Sequence, residues 1–147
     1  MSDDQKSEGL NNFTRKYLYL LGGALLFGFI LWLTNLDFRA GEINHLLEAD
    51  AELAAYPYPF RVLSVKDGIA QVSSPRSAQL SAIRSLRVMF PELENRDAVS
   101  DEMMTAQEEL ARIQAHAGQL VKSQEDISRI HWVLDKAWLA NHGIYID

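Results

Sequence analysis

The sequence has no cysteine, which excludes disulfides, iron–sulfur clusters, thiolate zinc sites, cysteine nucleophiles and lipid attachment at cysteine together. Glycine and proline are sparse, at 8 and 4 of 147 residues, and 48% of residues are apolar, so the chain is neither collagen-like nor disordered. Positive charge is scarce. Fourteen Lys and Arg stand against 20 Asp and Glu, a formal charge of -6 that lacks the clustered bases a nucleic-acid partner requires. Gly-x-Ser-x-Gly, His-Glu-x-x-His, the P-loop and Gly-x-Gly-x-x-Gly are all missing. The length fits one domain with additions, not two ordinary domains.

What is present begins with an uncharged run from Tyr17 to Leu36, between Lys16 and Asp37. Helical geometry stretches such a run to roughly the 30 Å hydrocarbon core of a bilayer. Tyr17 and Tyr19 near one end and Trp32 near the other suit the two interfaces. A buried soluble helix is the weaker reading because it normally keeps a polar face. A cleaved signal peptide has a shorter apolar core and a small-residue site after it. Lys6, Arg15 and Lys16 precede the run and only Arg39 follows closely, which predicts a cytoplasmic N-terminus. With no cysteine and no Asn-x-Ser/Thr beyond the run, the expected setting is the bacterial inner membrane with a periplasmic domain. Ala24 and Gly28 form a small-xxx-small pair at which another transmembrane helix could approach.

The expected organisation is a tail over 1–16, a transmembrane helix over 17–36, a helical stalk over 37–56 and an α+β domain over 57–147. Leu36, Ala40, Ile43, Leu47, Ala51 and Ala54 recur at helical spacing and suggest the stalk, with an irregular loop as the alternative because of Gly41. Tyr56-Pro-Tyr-Pro59 reads as a stiff link into the domain.

Phe60–Ser73 reads as a β-hairpin about Asp67-Gly68, with Val65 opposite Ala70 and Leu63 opposite Val72. Ser74 and Pro75 are expected to open a helix carrying Leu80, Ile83, Leu86 and Phe90, ended by Pro91. Ser100 caps the longest helix, whose seam of Met103, Ala106, Leu110, Ile113, Ala117 and Leu120 is better suited to packing on a sheet than to a zipper. Ile127–Leu134 reads as a strand, Asp135 and Gly143 bracket a short helix, and Ile144–Ile146 is a candidate last strand. The predicted fold is α+β: a small, largely antiparallel sheet covered by the long helix.

The hairpin, helix and strand order, with Val65-Lys-Asp-Gly-Ile-Ala-Gln-Val-Ser73, resembles BON domains, small envelope modules associated with phospholipid surfaces. The resemblance covers residues 60–90, and the long helix from Ser100 to Ser123 departs from it.

For chemistry, His131, Asp135 and His142 are the best titratable group, but His131 and Asp135 lie about 13 Å apart along a strand. Asp135 reads better as a helix cap, and His116 as an exposed helical residue. No catalytic, metal or cofactor residue is assigned. Trp132 and Trp138, with Arg84 and Arg87, are the candidate contacts for a ligand or partner, although the two Trp also suit a core and Arg76, Arg84 and Arg87 a solvated helix face. The expected function is a non-enzymatic accessory, assembly or scaffold component of an envelope complex, its partner another membrane protein or a second copy. The alternative is a periplasmic module binding lipid, glycan or peptide.

Overall fold

The computed structural model describes residues 4–34, 38–78 and 80–146, with side chains from Asn11 to Leu33 in the first of these segments. Helix α1, Asp4–Thr34, contains nearly all of the apolar run, and every residue from Asn11 to Trp32 is exposed. It is long and apolar enough to cross a membrane. The last two residues of the expected span, Asn35 and Leu36, and the adjoining Asp37 lie outside the described residues. The chain divides into two compact units, Met1–Asp37 and Phe38–Asp147.

The second unit opens with α2, Phe38–Ala49, and α3, Ala51–Ala55. Asp50 caps α3 by accepting from the N–H groups of Glu52 and Leu53. Of the expected helical face, Ala40, Ile43 and Leu47 are buried, whereas Ala51 and Ala54 are exposed with Leu53 inward and Leu36 lies outside the described residues; these helices are not a free stalk. Ala40, Ile43, Leu47 and Leu53 are buried in the main core, so the folded unit begins about twenty residues before the expected boundary.

Asn44 joins α2 to strand β1, Val62–Lys66, because its side chain accepts from the Val62 N–H at 2.7 Å and donates to the Val62 carbonyl at 2.9 Å. The helix thereby satisfies backbone groups that a neighbouring strand would otherwise take. Arg39 adds a forked pair to Asp126, at 2.7 and 2.6 Å, and a bond to Glu42 at 2.8 Å.

Tyr56–Phe60 is part of the core and not a link outside it. Tyr58 is fully buried between Phe60, with ring centroids 4.8 Å apart, and Trp138, at 5.1 Å. Phe60 also meets Trp132 and Tyr56, and Tyr56 meets Phe90. The prolines extend the backbone between alternating aromatic rings, which places Tyr58 and Phe60 in the interior and leaves Pro57 and Pro59 exposed.

Strand β1 pairs antiparallel with β2, Ile69–Ser74, around Asp67 (φ 51°) and Gly68 (φ 75°). Two successive positive φ values are the signature of a type I′ turn. Val65 faces Ala70 as expected, but a register shift between Val62 and Ser64 sets Val62, not Leu63, opposite Val72. Such a bulge turns Val62 inward and leaves Leu63 45% exposed.

Gly68 is needed twice. Its φ is positive, and an added Cβ would lie 3.0 Å from the Ser128 hydroxyl, while the Gly68 carbonyl accepts from the N–H groups of Ser128 and Arg129. Gly68→Ala is expected to cost about 1 to 2 kcal/mol through backbone strain alone. An unchanged denaturant midpoint for this variant would contradict the turn geometry.

After β2 the chain runs irregularly to α4, Ala82–Met89, so the expected helix start at Ser74 and Pro75 is seven residues too early. Ser74 still belongs to the sheet. It is opposite Leu134, and its hydroxyl bonds locally to Arg76 and caps no helix. Leu80, expected on α4, instead joins a second apolar cluster with Leu139 and Ile144.

A short 3-10 helix, Pro91–Leu93, leads to α5, Asp101–Lys122, capped by Ser100 as expected. Met103, Leu110, Ile113 and Ala117 of the predicted seam are buried, with Ala106 and Leu120 half-buried. Gly118 lets the Trp132 ring lie close, since a Cβ there would sit 3.3 Å from Trp132 Cζ2. Helix α5 thus packs across the sheet as well as against α2, α3 and α4.

Strand β3, Arg129–Leu134, is parallel to β2, in the order β1-β2-β3. The sheet is therefore mixed, one antiparallel and one parallel pair, rather than largely antiparallel. The long connection through α4 and α5 carries the chain back across the sheet, which a parallel pair requires. Helix α6, Lys136–Asn141, follows; Asp135 caps it and Gly143 (φ 80°) ends it. Ile144–Ile146 adds no strand, and Ile144 is buried against Leu139 and Leu80.

Candidate functional site

Trp132 and Trp138 do not meet as two walls of one cleft. They are the ends of a continuous aromatic path, Trp132–Phe60–Tyr58–Trp138, and Trp138 also lies against the His142 ring at 4.2 Å. Tyr145 is exposed. Trp132 borders a groove of about 360 Å³ with Gly118, Gln119, Lys122, Arg129 and Ile130. Arg84 and Arg87 are not among those residues: Arg84 is exposed on α4, and Arg87 donates to the Arg96 carbonyl at 2.9 Å. Arg76 bonds instead to buried Gln114.

His131, Asp135 and His142 have separate roles. His131 is exposed on β3, whereas His142 Nδ1 lies 2.8 Å from the Trp138 carbonyl. Asp135 accepts from the Trp138 N–H with one oxygen and from the Tyr58 hydroxyl with the other, both at 3.0 Å. Burial is the main reason that the Tyr58 hydroxyl is held well above its ordinary pKa.

On α1, a Cβ added at Gly28 meets nothing within 4 Å, so the Ala24 and Gly28 face is open at that position.

A polar cluster that the sequence reading missed joins α3 to α5. His116 Nε2 lies 3.0 Å from Asp50 Oδ2 and 3.6 Å from Glu52 Oε2, and Arg112 bonds both Glu52 and Glu109. Ligand atoms of Asp50, Glu52 and His116 fall within 4.8 Å of one another. Asp50 already spends one oxygen on its helix cap, and Arg112 supplies positive charge against Glu52, so the cluster is explained as an interhelical tie. His116 is accordingly half-buried, not exposed. No local sequence signal joins Asp50 to His116, because their proximity depends on α2 and α3 packing on the domain.

This cluster and the separate Arg39–Asp126 pair give the fold a pH dependence. The Leu53 N–H, and then His116, hold the Asp50 carboxyl below its ordinary range; Arg39 does so for Asp126, and Arg112 for Glu109. Each group binds its proton more weakly folded than unfolded. Their stabilisation is therefore complete above the unfolded carboxylate pKa of about 4 and is lost as pH falls through the folded values. The melting temperature is expected to drop on acidification below about pH 5, and Asp50→Asn should flatten part of that slope. Equal slopes for the variant and the wild type would remove Asp50 from the account.

A groove of about 550 Å³, open to solvent, lies between the 3-10 helix and the first half of α5. Phe90, Leu93 and Ala106 supply its apolar lining, and Glu92, Asp101, Glu102 and Glu109 its charge. Glu102 is 3.7 Å from Arg96 and Glu109 is 2.6 Å from Arg112, whereas no ion pair engages Glu92 or Asp101 among the described residues. From Glu92 to Glu109 the sequence carries seven Asp and Glu against Arg96 alone, so this one segment has a formal charge equal to the -6 of the whole chain. That concentration was legible in the sequence; the groove beneath it was not.

No protein-family model, curated protein or solved structure is significantly similar to this chain, so the partial resemblance to BON domains does not extend to a family match.

Proposed function

We propose that the chain is a single-pass protein of a bacterial inner membrane, with its N-terminus cytoplasmic and its folded unit periplasmic, acting as a non-enzymatic accessory, assembly or scaffold component of an envelope complex. The carrying observation is an apolar helical run exposed from Tyr17 to Trp32 in a chain with a small folded unit, because exposed apolar surface of that extent suits lipid better than water. Orientation rests on Lys6, Arg15 and Lys16 before the span against Arg39 after it.

Among the described residues, His131, Asp135 and His142 do not converge: Asp135 and His142 are bonded at α6 and His131 is exposed on β3. The ligand-binding alternative is favoured by one feature, the groove in which Trp132 stands beside Lys122 and Arg129.

Alkaline phosphatase fused after Asp147 is expected to be active, and a reporter that works only in the cytoplasm silent. The reverse pattern would overturn the placement. Replacing His131 and His142 together with Ala should leave fold and phenotype near wild type, whereas loss of function in a folded double variant would restore an enzymatic reading.

A further inference from the structure

We infer that the acidic groove on α5 is the docking site for a segment of another protein, carrying one or two bulky apolar side chains flanked by Lys or Arg. This inference rests on the proposed role as a component of a complex and specifies the chemistry of its partner.

Three features select that occupant. The apolar lining from Phe90, Leu93 and Ala106 suits side chains and not a bare ion, and about 550 Å³ has room for more than one of them. Glu92 and Asp101 have no ion pair among the described residues, so cations on a partner would gain pairs without breaking any already made. Openness to solvent favours a polypeptide passing through over a small cation, which needs enclosure to bind well. A second copy is disfavoured as the occupant because it would bring a net charge of -6 toward an acidic groove.

The test places the photo-crosslinking residue benzoylphenylalanine at Thr105, which lines the groove, or at Gln71, exposed on β2, in the full chain at native expression in its own membrane. Illumination at Thr105 should yield an adduct whose mapped peptide from another protein has an apolar anchor flanked by Lys or Arg. The pair Glu92→Lys and Asp101→Lys should lower its yield by about tenfold, whereas Glu48→Lys with Glu125→Lys, the same charge change elsewhere, should leave it unchanged.

A captured peptide without cations, capture of lipid or a second copy, or a yield indifferent to charge reversal would overturn the inference. Adducts at Gln71 but none at Thr105 would overturn it while leaving the complex-forming role intact. No protein adduct at either position would count against both.

Discussion

A fragment beginning at Tyr56 should fail to fold, whereas one beginning at Phe38 should give a mixed helix and strand circular dichroism spectrum and a cooperative melt. The shorter fragment loses the buried side chains of Ile43, Leu47 and Leu53, together with the Asn44 bonds to Val62. Three aliphatic side chains at about 1.5 to 3 kcal/mol each come to about 4.5 to 9 kcal/mol, comparable to the lower half of the stability expected of a domain, about 5 to 15 kcal/mol. Removing Asn44 also strips the partner from two backbone groups of β1. A cooperative melt of the Tyr56 fragment at the same temperature would show that α2 and α3 are dispensable.

The second large effect is expected at Tyr58. Tyr58→Ala should cost about 3 to 5 kcal/mol, because it empties a fully buried site between Phe60 and Trp138. Tyr58→Phe keeps the ring and loses the hydroxyl's bonds to Asp135 and Ser73, for about 1.5 to 3 kcal/mol. Tyr56 provides the opposite control. Its hydroxyl is buried with no hydrogen-bond partner among the described residues, and burial pushes its pKa up to about 12. Tyr56→Phe should therefore leave stability unchanged or raise it, since no bond is lost and a polar atom no longer has to be desolvated. Chemical denaturation of the three variants decides the matter, and a Tyr56→Phe variant weakened as much as Tyr58→Phe would contradict this packing.

Asp67-Gly68 announced its turn because few other dipeptides accept two positive φ values in succession. Ser100 and Asp135 announced their helices by cap chemistry that lies within three residues. The bulge at Leu63 carries no such local mark, because the alternating pattern around it is equally consistent with regular pairing.

Periodicity showed that Ala40, Ile43 and Leu47 share a helix face but not what the face packs on, so a helix of the folded unit resembled a stalk. The direction of β3 was similarly hidden. Its residues pair as readily either way, and only the path through α4 and α5 makes the pair with β2 parallel. At the candidate sites, the acids of residues 92–109 were visible as letters, while the groove needed the packing of the 3-10 helix against α5. Trp132 and Trp138 are half-buried against the core, and their connection through Phe60 and Tyr58 depends on folding.

A membrane-anchored role in a larger assembly can be checked by purifying the tagged full chain from its own membrane, at native expression, in a mild detergent. The proposed role predicts co-purification with other membrane proteins in stable proportion, or a defined homo-oligomer, with a native mass well above the 16.6 kDa of one chain plus its detergent. Recovery of the lone monomer, with no protein in stable proportion, would contradict it.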